Sequence, residues 1–139
     1  MDTTLFSEIN WLAVIVAAIA YFALGALWYT ALFGKKWIAY QGIDVNDPEM
    51  KKGSGAIMFT SLIWMLVATI CIALLVERLE LTEMISGIKI GLLAGIGFAF
   101  TSISISYLYI KKPFGLHIID GLYHVVGYVI VGIILTQWQ

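Results

Sequence analysis

Four long apolar runs dominate this sequence of 139 residues. They cover about residues 9–33, 56–76, 86–110 and 115–136. Each run reaches the roughly 20 residues that an α-helix needs to cross the hydrocarbon layer of a bilayer. The apolar residues are continuous rather than alternating, which argues against spanning strands. Because only helices and closed barrels satisfy their backbone hydrogen bonds in lipid, the runs predict an all-α, integral membrane four-helix bundle.

The composition supports a single transmembrane domain over residues 1–139. Hydrophobic residues make up 61% of the chain and charged residues only 12%, and a soluble domain of this size cannot bury so much apolar surface. The single cysteine, Cys71, excludes an intramolecular disulfide. Basic residues flank the apolar runs in pairs instead of forming a nucleic-acid surface. We therefore expect the lipid bilayer as a partner and no nucleic acid.

Lysines are concentrated in two of the three connections between the runs. Residues 34–55 contain Lys35, Lys36, Lys51 and Lys52, and residues 111–114 contain Lys111 and Lys112. The remaining connection is mainly acidic, with Glu77, Glu80 and Glu83. The positive-inside rule then predicts that both lysine-bearing connections are cytoplasmic and that both termini lie outside, an N-out/C-out topology.

The last run carries three ionisable residues, His117, Asp120 and His124. Their i, i+3, i+7 spacing places them within an arc of about 60° on a helix, and Tyr128 extends the same stripe. Ionisable groups inside a membrane are costly and mark candidate functional sites. The stripe is the predicted intramembrane polar site.

A short turn joins the third and fourth runs, so these two helices are predicted to be antiparallel neighbours. Counting outward from this turn brings Ser104 level with Asp120, and Phe100 or Thr101 level with His124. We expect some of the serine and threonine hydroxyl groups of residues 101–106 to donate hydrogen bonds to Asp120. The predicted topology places this site in the cytoplasmic half of the bilayer.

Small residues form a ridge on the third run at Gly87, Gly91 and Gly95. Such a ridge allows another helix to approach closely, either within one bundle or between two copies in a homo-oligomer. On the fourth run, Gly121 and Gly127 flank the polar stripe and leave room for a bulky neighbour or for water.

Three functional interpretations are compatible with the polar stripe. In the first, an Asp120–His124 hydrogen-bonded pair serves a pathway for protons, small ions or small solutes, with His117 as its access group. In the second, the pair stabilises a structural or accessory protein that acts through oligomerisation or partners.

The third interpretation is a metal-dependent membrane enzyme with His117, Asp120 and His124 as ligands. The i to i+7 distance, roughly 10.5 Å, is too long for all three to bind one ion without further ligands. No nucleophile motif such as G-x-S-x-G is present. We therefore assign no catalytic residue, expect no cofactor and favour a protein that is not an enzyme.

Several short motifs resemble an uncharacterised family of small bacterial membrane proteins, domain of unknown function 1761. They include Asn10-Trp11, Trp28-Tyr29 and Ile119-Asp-Gly-Leu-Tyr-His124, followed by Gly132 and Trp138. The resemblance implies a four-helix protein of the bacterial cytoplasmic (inner) membrane. It draws attention to Asn10, Trp11, Trp28, Tyr29, Asp120 and His124, and it implies no activity.

The predicted orientation can be tested by cysteine labelling in a Cys71→Ala background. A membrane-impermeant maleimide added to intact cells should label Gln139→Cys, since the C-terminus is predicted to lie outside. Lys36→Cys should react only after the membrane is permeabilised. The reverse pattern would contradict the positive-inside assignment.

Overall fold

A computed structural model describes residues 4–139 of the chain. Four long helices span Trp11–Leu32, Ser54–Arg78, Met84–Tyr109 and Phe114–Gln137, which we call spans 1 to 4. Each is long and apolar enough to cross a membrane, and residues 4–139 contain no strand. The predicted all-α helical bundle is confirmed.

Shorter elements complete the fold. A one-turn helix, Leu5–Glu8, precedes span 1. The connection to span 2 contains the helix Gly34–Gln41 and the 3₁₀ turn Pro48–Lys51. Two spans include a π-helical segment, Trp28–Leu32 in span 1 and Gly95–Phe100 in span 3. Such segments widen a helix locally and occur often near functional sites.

Local sequence signals explain where these helices begin and end. The side chain of Asn10 accepts hydrogen bonds from the backbone amides of Leu12 and Ala13, both at 3.1 Å, and so caps span 1. The Gly34–Gln41 helix ends at Gly42, whose φ of 67° is left-handed and favours glycine. Pro113 immediately precedes span 4, where its missing amide proton costs no helical hydrogen bond.

Span 4 is the central helix of the bundle. It contacts the other three spans and the Gly34–Gln41 helix. Half of its most apolar window is buried inside the protein, compared with 33% for span 1, 22% for span 2 and 17% for span 3. The helix that carries the polar stripe is therefore the one best shielded from lipid.

The glycine ridge of span 3 packs directly against span 4. A Cβ atom at Gly91 would lie 2.5 Å from the Cα of Val129, and one at Gly95 would lie 2.6 Å from the Cα of Val125. Gly87 faces the backbone of Gly132. The ridge is covered within one chain, so a homo-oligomer would need a different surface.

Glycines of span 4 accommodate aromatic rings from its neighbours. Gly121 lies against the ring of Phe100 from span 3, and Gly127 lies against the ring of Tyr21 from span 1. A side chain at either position would overlap these rings. The space that the sequence predicts beside the polar stripe is thus filled by bulky neighbours.

Polar contacts at the two ends of the bundle show which connections lie at the same end. At one end, Asn10 Nδ2 donates to the carbonyl of Trp138 at 3.5 Å, and Gln139 Nε2 donates to the carbonyl of Leu81 at 2.8 Å. At the other end, Lys112 Nζ donates to Gln41 Oε1 at 2.7 Å. Both lysine-bearing connections therefore lie at one end, and the first residues of span 1, the C-terminus and the span 2–3 connection lie at the other. The assignment of the lysine-bearing end to the cytoplasm stays a prediction.

Replacing Gly91 with alanine should weaken the contact between spans 3 and 4. The added methyl group overlaps span 4 backbone, and overpacking of this kind costs about 1–3 kcal/mol in the free energy of unfolding. Gly97→Ala is the matched control in the same span, because its nearest neighbour would be Leu93 Cδ1 at 3.9 Å. Reversible unfolding in mixed micelles measures both. Equal stability of the two variants would contradict the packing described.

Candidate functional site

The carboxylate of Asp120 is the most heavily hydrogen-bonded side chain in the bundle interior. Asp120 is 6% exposed. Its Oδ1 accepts hydrogen bonds from the Tyr29 hydroxyl at 2.7 Å and from the Trp37 indole at 3.0 Å. Its Oδ2 accepts from the Tyr107 hydroxyl at 2.5 Å. We call Asp120 and these three donors the Asp120 cluster.

The three donors come from three different elements. Tyr29 lies in the π-helical segment of span 1, Trp37 in the Gly34–Gln41 helix and Tyr107 in span 3. Trp28 adds a neighbouring bond, because its indole donates to the carbonyl of Ile119 at 3.0 Å. Two successive aromatic side chains of the span 1 π segment, Trp28 and Tyr29, thus donate hydrogen bonds to two successive residues of span 4, Ile119 and Asp120.

No basic side chain among residues 4–139 forms an ion pair with Asp120. The ion pair found in this part of the chain joins Lys52 to Glu49 at 3.5 Å on the surface. Asp120 is instead solvated by two phenol hydroxyls and an indole, all of them uncharged. Hydrogen bonds to a carboxylate are stronger than those between neutral groups. The site is therefore a buried acid without a basic partner among the described residues.

His124 does not share a hydrogen bond with Asp120, although the two lie one helical turn apart. Its Nδ1 is bonded to the hydroxyl of Tyr21 in span 1, while Nε2 makes no hydrogen bond to residues 4–139. The predicted direct Asp120–His124 pair is wrong, because donors from other elements occupy both oxygens of Asp120 and the imidazole bonds to Tyr21. The two residues face a common cavity instead.

His117 and Tyr128 lie on the stripe but outside the Asp120 cluster. The His117 ring is buried against Tyr107 and Phe114, with ring centroids 5.5 Å and 5.7 Å away, and it makes no hydrogen bond to residues 4–139. Tyr128 packs on the ring of Tyr21 at 5.6 Å. Neither residue contacts Asp120 by a hydrogen bond.

The hydroxyl-rich face of span 3 does not donate to Asp120 as the sequence suggests. Thr101 donates to the carbonyl of Gly97 in its own helix at 2.9 Å. The Ser104 hydroxyl is buried and has no hydrogen-bond partner among the described residues. This expectation is wrong because a serine side chain is short, whereas Tyr107 reaches one turn further and provides the hydrogen bond from span 3.

A cavity of about 450 Å³ adjoins the Asp120 cluster between spans 1, 3 and 4. Its walls include all four members of the cluster and His124, together with Ser102, Ile103 and Ser106. We call it the Asp120 cavity. It gives the buried acid a space large enough for several water molecules or a small solute.

A second cavity, of about 390 Å³, lies between spans 1, 2 and 4. Its walls are mostly apolar, and we call it the span 2 cavity. Two side chains, Tyr29 and His124, line both cavities. They therefore form part of the wall that separates the two spaces.

The residues highlighted by the family resemblance occupy both ends of the bundle. Trp28 and Tyr29 contact span 4 at Ile119 and Asp120, as described above. Asn10 caps span 1 at the opposite end, and the adjacent Trp11 is 45% exposed on the surface. These four residues therefore do not form one site.

The structure does not assemble the candidate metal ligands. Within residues 4–139, no group of three His, Cys, Asp or Glu side chains is arranged to hold a metal ion. His117, Asp120 and His124 are each directed to different partners. The described residues therefore give no support to the metal-dependent enzyme.

A family model described as "Protein of unknown function (DUF1761)" matches residues 12–136. The chain belongs to this family. The match covers almost the whole chain, including every member of the Asp120 cluster. No curated protein and no solved structure matches the sequence. Family membership therefore assigns no activity to this chain.

Three residues of this region, Tyr21, Trp37 and Tyr107, were not predicted as site residues. Trp37 and Tyr107 look like interfacial anchors in the sequence, because each lies near the end of an apolar run. A second signal was available, since a buried acid without a nearby cation needs neutral donors, and tyrosine and tryptophan supply them. Tyr21 lies in the interior of the first run and has no comparable signal.

Tyr107→Phe should destabilise the bundle by removing one hydrogen bond to a charged group. The expected loss in the free energy of unfolding is about 1–2 kcal/mol, the range for a polar side-chain contact between membrane helices. Tyr109→Phe is the matched control, because Tyr109 lies two residues away in the same helix and is 85% exposed. It should change stability by less than about 0.5 kcal/mol. A Tyr107→Phe variant as stable as the wild type would show that the hydrogen bond between Tyr107 and Asp120 is not formed.

Proposed function

We propose that this membrane protein provides a pathway for protons, small ions or small solutes, with Asp120 as the group that binds the transported proton or ion. One observation carries the proposal: a carboxylate inside the bundle has no basic partner among the described residues and borders a cavity. Ionisable side chains within spanning helices are costly and rare, and they often mark ion or proton pathways.

Tyr29 and His124 provide a route by which a proton would pass between the two cavities. Tyr29 donates to Asp120 and also lines the span 2 cavity. When the Tyr29 hydroxyl passes its proton to Asp120, it can take another from a donor on the other side. His124 borders the same two spaces, and its Nε2 makes no hydrogen bond to residues 4–139. Asp120, Tyr29 and His124 are thus the groups through which a proton would move.

The orientation of this pathway follows from the lysines. The Asp120 cluster lies toward the end of the bundle that carries both lysine-bearing connections. With N-out/C-out topology in a bacterial inner membrane, the Asp120 cavity belongs to the cytoplasmic half of the bilayer. The pathway would then load or release its proton or ion on the cytoplasmic side.

An accessory or structural role is the second candidate. Its support is the Asp120 cluster itself, which joins span 4 to span 1, to span 3 and to the Gly34–Gln41 helix. A buried polar group can fix the arrangement of helices without moving anything. In that role the protein acts through partners or through self-association.

Flux in liposomes distinguishes the two candidates. Asp120→Asn preserves size but removes the ionisable group, so a flux driven by a pH gradient should fall at least about tenfold. His124→Ala should also reduce it, because the imidazole borders both cavities. Asp44→Asn is the matched control, since Asp44 lies in the exposed part of the long connection and should leave the flux unchanged.

Folding of every variant is checked by circular dichroism and size-exclusion chromatography before reconstitution. A flux that folded Asp120→Asn and His124→Ala proteins both retain would contradict the proposed pathway. A protein with no flux in any form, whose Asp120→Asn variant is recovered in lower yield, would support the structural role instead.

A further inference from the structure

The span 2 cavity differs from the Asp120 cavity in the chemistry of its walls. Apolar side chains from span 1 and span 2 form most of it, among them Phe22, Ile57, Met58 and Met65. Its volume of about 390 Å³ lies within the range of pockets that hold small molecules. Ile57 and Met58 are 66% and 52% exposed, so apolar residues at the outer surface of the bundle border the cavity.

Most polar groups that line this cavity are already satisfied. The Ser61 hydroxyl donates to the carbonyl of Ile57 in its own helix at 2.8 Å. The Tyr123 hydroxyl donates to the carbonyl of Tyr21 at 3.3 Å. The remaining hydrogen-bonding capacity belongs to His124 and Tyr29, which form the wall shared with the Asp120 cavity.

The hydrogen-bonding states of Tyr29 and His124 restrict which ligand groups can bind between them. The Tyr29 hydroxyl donates its proton to Asp120, so toward the cavity its oxygen can only accept. His124 Nε2 donates if the Tyr21 hydroxyl donates to Nδ1, and accepts if Nδ1 carries the proton. When Nε2 carries the proton, a ligand hydroxyl satisfies both groups, because it donates to the Tyr29 oxygen and accepts from His124. When Nδ1 carries the proton, the hydroxyl donates to one of the two acceptors. An ether lacks the donor.

We propose that the span 2 cavity binds a lipophilic molecule with a hydroxyl head, such as an alkylated phenol, that reaches the site from the bilayer. The head lies between Tyr29 and His124, and the apolar body lies among Phe22, Met58 and Met65. Binding at this site does not require that the protein moves ions, so the inference goes beyond the proposed function.

Two probes that differ only by methylation of the hydroxyl oxygen test the hydroxyl requirement. Thermal unfolding of the protein in nanodiscs, followed by circular dichroism, is measured over a titration with para-hexylphenol and with para-hexylanisole. A ligand that binds only the folded state raises the Tm in proportion to its occupancy. We expect the phenol to bind at least about tenfold more tightly than the anisole, which corresponds to one well-made hydrogen bond.

Two alanines of span 1 provide a matched pair of variants. Ala26 lines the cavity and Ala23 does not, and both are exposed on the helix surface. Ala26→Phe should fill the cavity and abolish the phenol-dependent rise in Tm, whereas Ala23→Phe should retain it. Neither residue belongs to the Asp120 cluster, so both variants should fold.

Three results would overturn the inference. Equal binding of phenol and anisole would show that the cavity takes up any apolar chain, including a lipid tail. An unchanged response of Ala26→Phe would place the probe elsewhere. No shift with either probe would show that the cavity does not bind this class of molecule. Loss of ion flux in the Asp120→Asn liposome experiment bears on the proposed function alone.

Discussion

The bundle depends on how it accommodates one acidic side chain in its central helix. Asp120 receives hydrogen bonds from Tyr29, Trp37 and Tyr107, which come from three separate elements. Each element that donates is thereby fixed relative to span 4. Neutral donors stabilise the carboxylate without cancelling its charge, as an ion pair with lysine would do. The same contacts that hold the fold therefore leave an acid able to attract a proton or a cation.

Close helix packing makes these contacts possible. Gly91 and Gly95 let span 3 lie directly on span 4, which brings Tyr107 within reach of Asp120. The π-helical segment of span 1 directs Trp28 and Tyr29 toward successive residues of span 4. Span 2 contributes no member of the Asp120 cluster, and it lines the second cavity instead. The two cavities thus meet at the wall that Tyr29 and His124 form.

The helices were predictable because each apolar run is long and uninterrupted, and the short turn after Lys112 required spans 3 and 4 to be neighbours. The importance of Asp120 was predictable from its charge within such a run. The hydrogen-bond partners of Asp120 were not predictable from the sequence. Tyr107 and Trp37 reach inward from positions near helix ends, and the sequence pattern of such aromatics is the same whether they face headgroups or the interior. The prediction of an Asp120–His124 hydrogen bond was wrong because spacing along one helix gives no information about donors from other helices.

If the Asp120 cluster holds the bundle together, Trp37 contacts the Asp120 carboxylate in the membrane-embedded protein. Solid-state NMR in bilayers can measure the dipolar coupling between the indole ¹⁵N of Trp37 and the carboxyl ¹³C of Asp120. The N–O distance of 3.0 Å predicts clear dephasing that disappears in Trp37→Phe and in Asp120→Asn. A wild-type protein that shows no such coupling would demonstrate that the Asp120 cluster does not form in the bilayer.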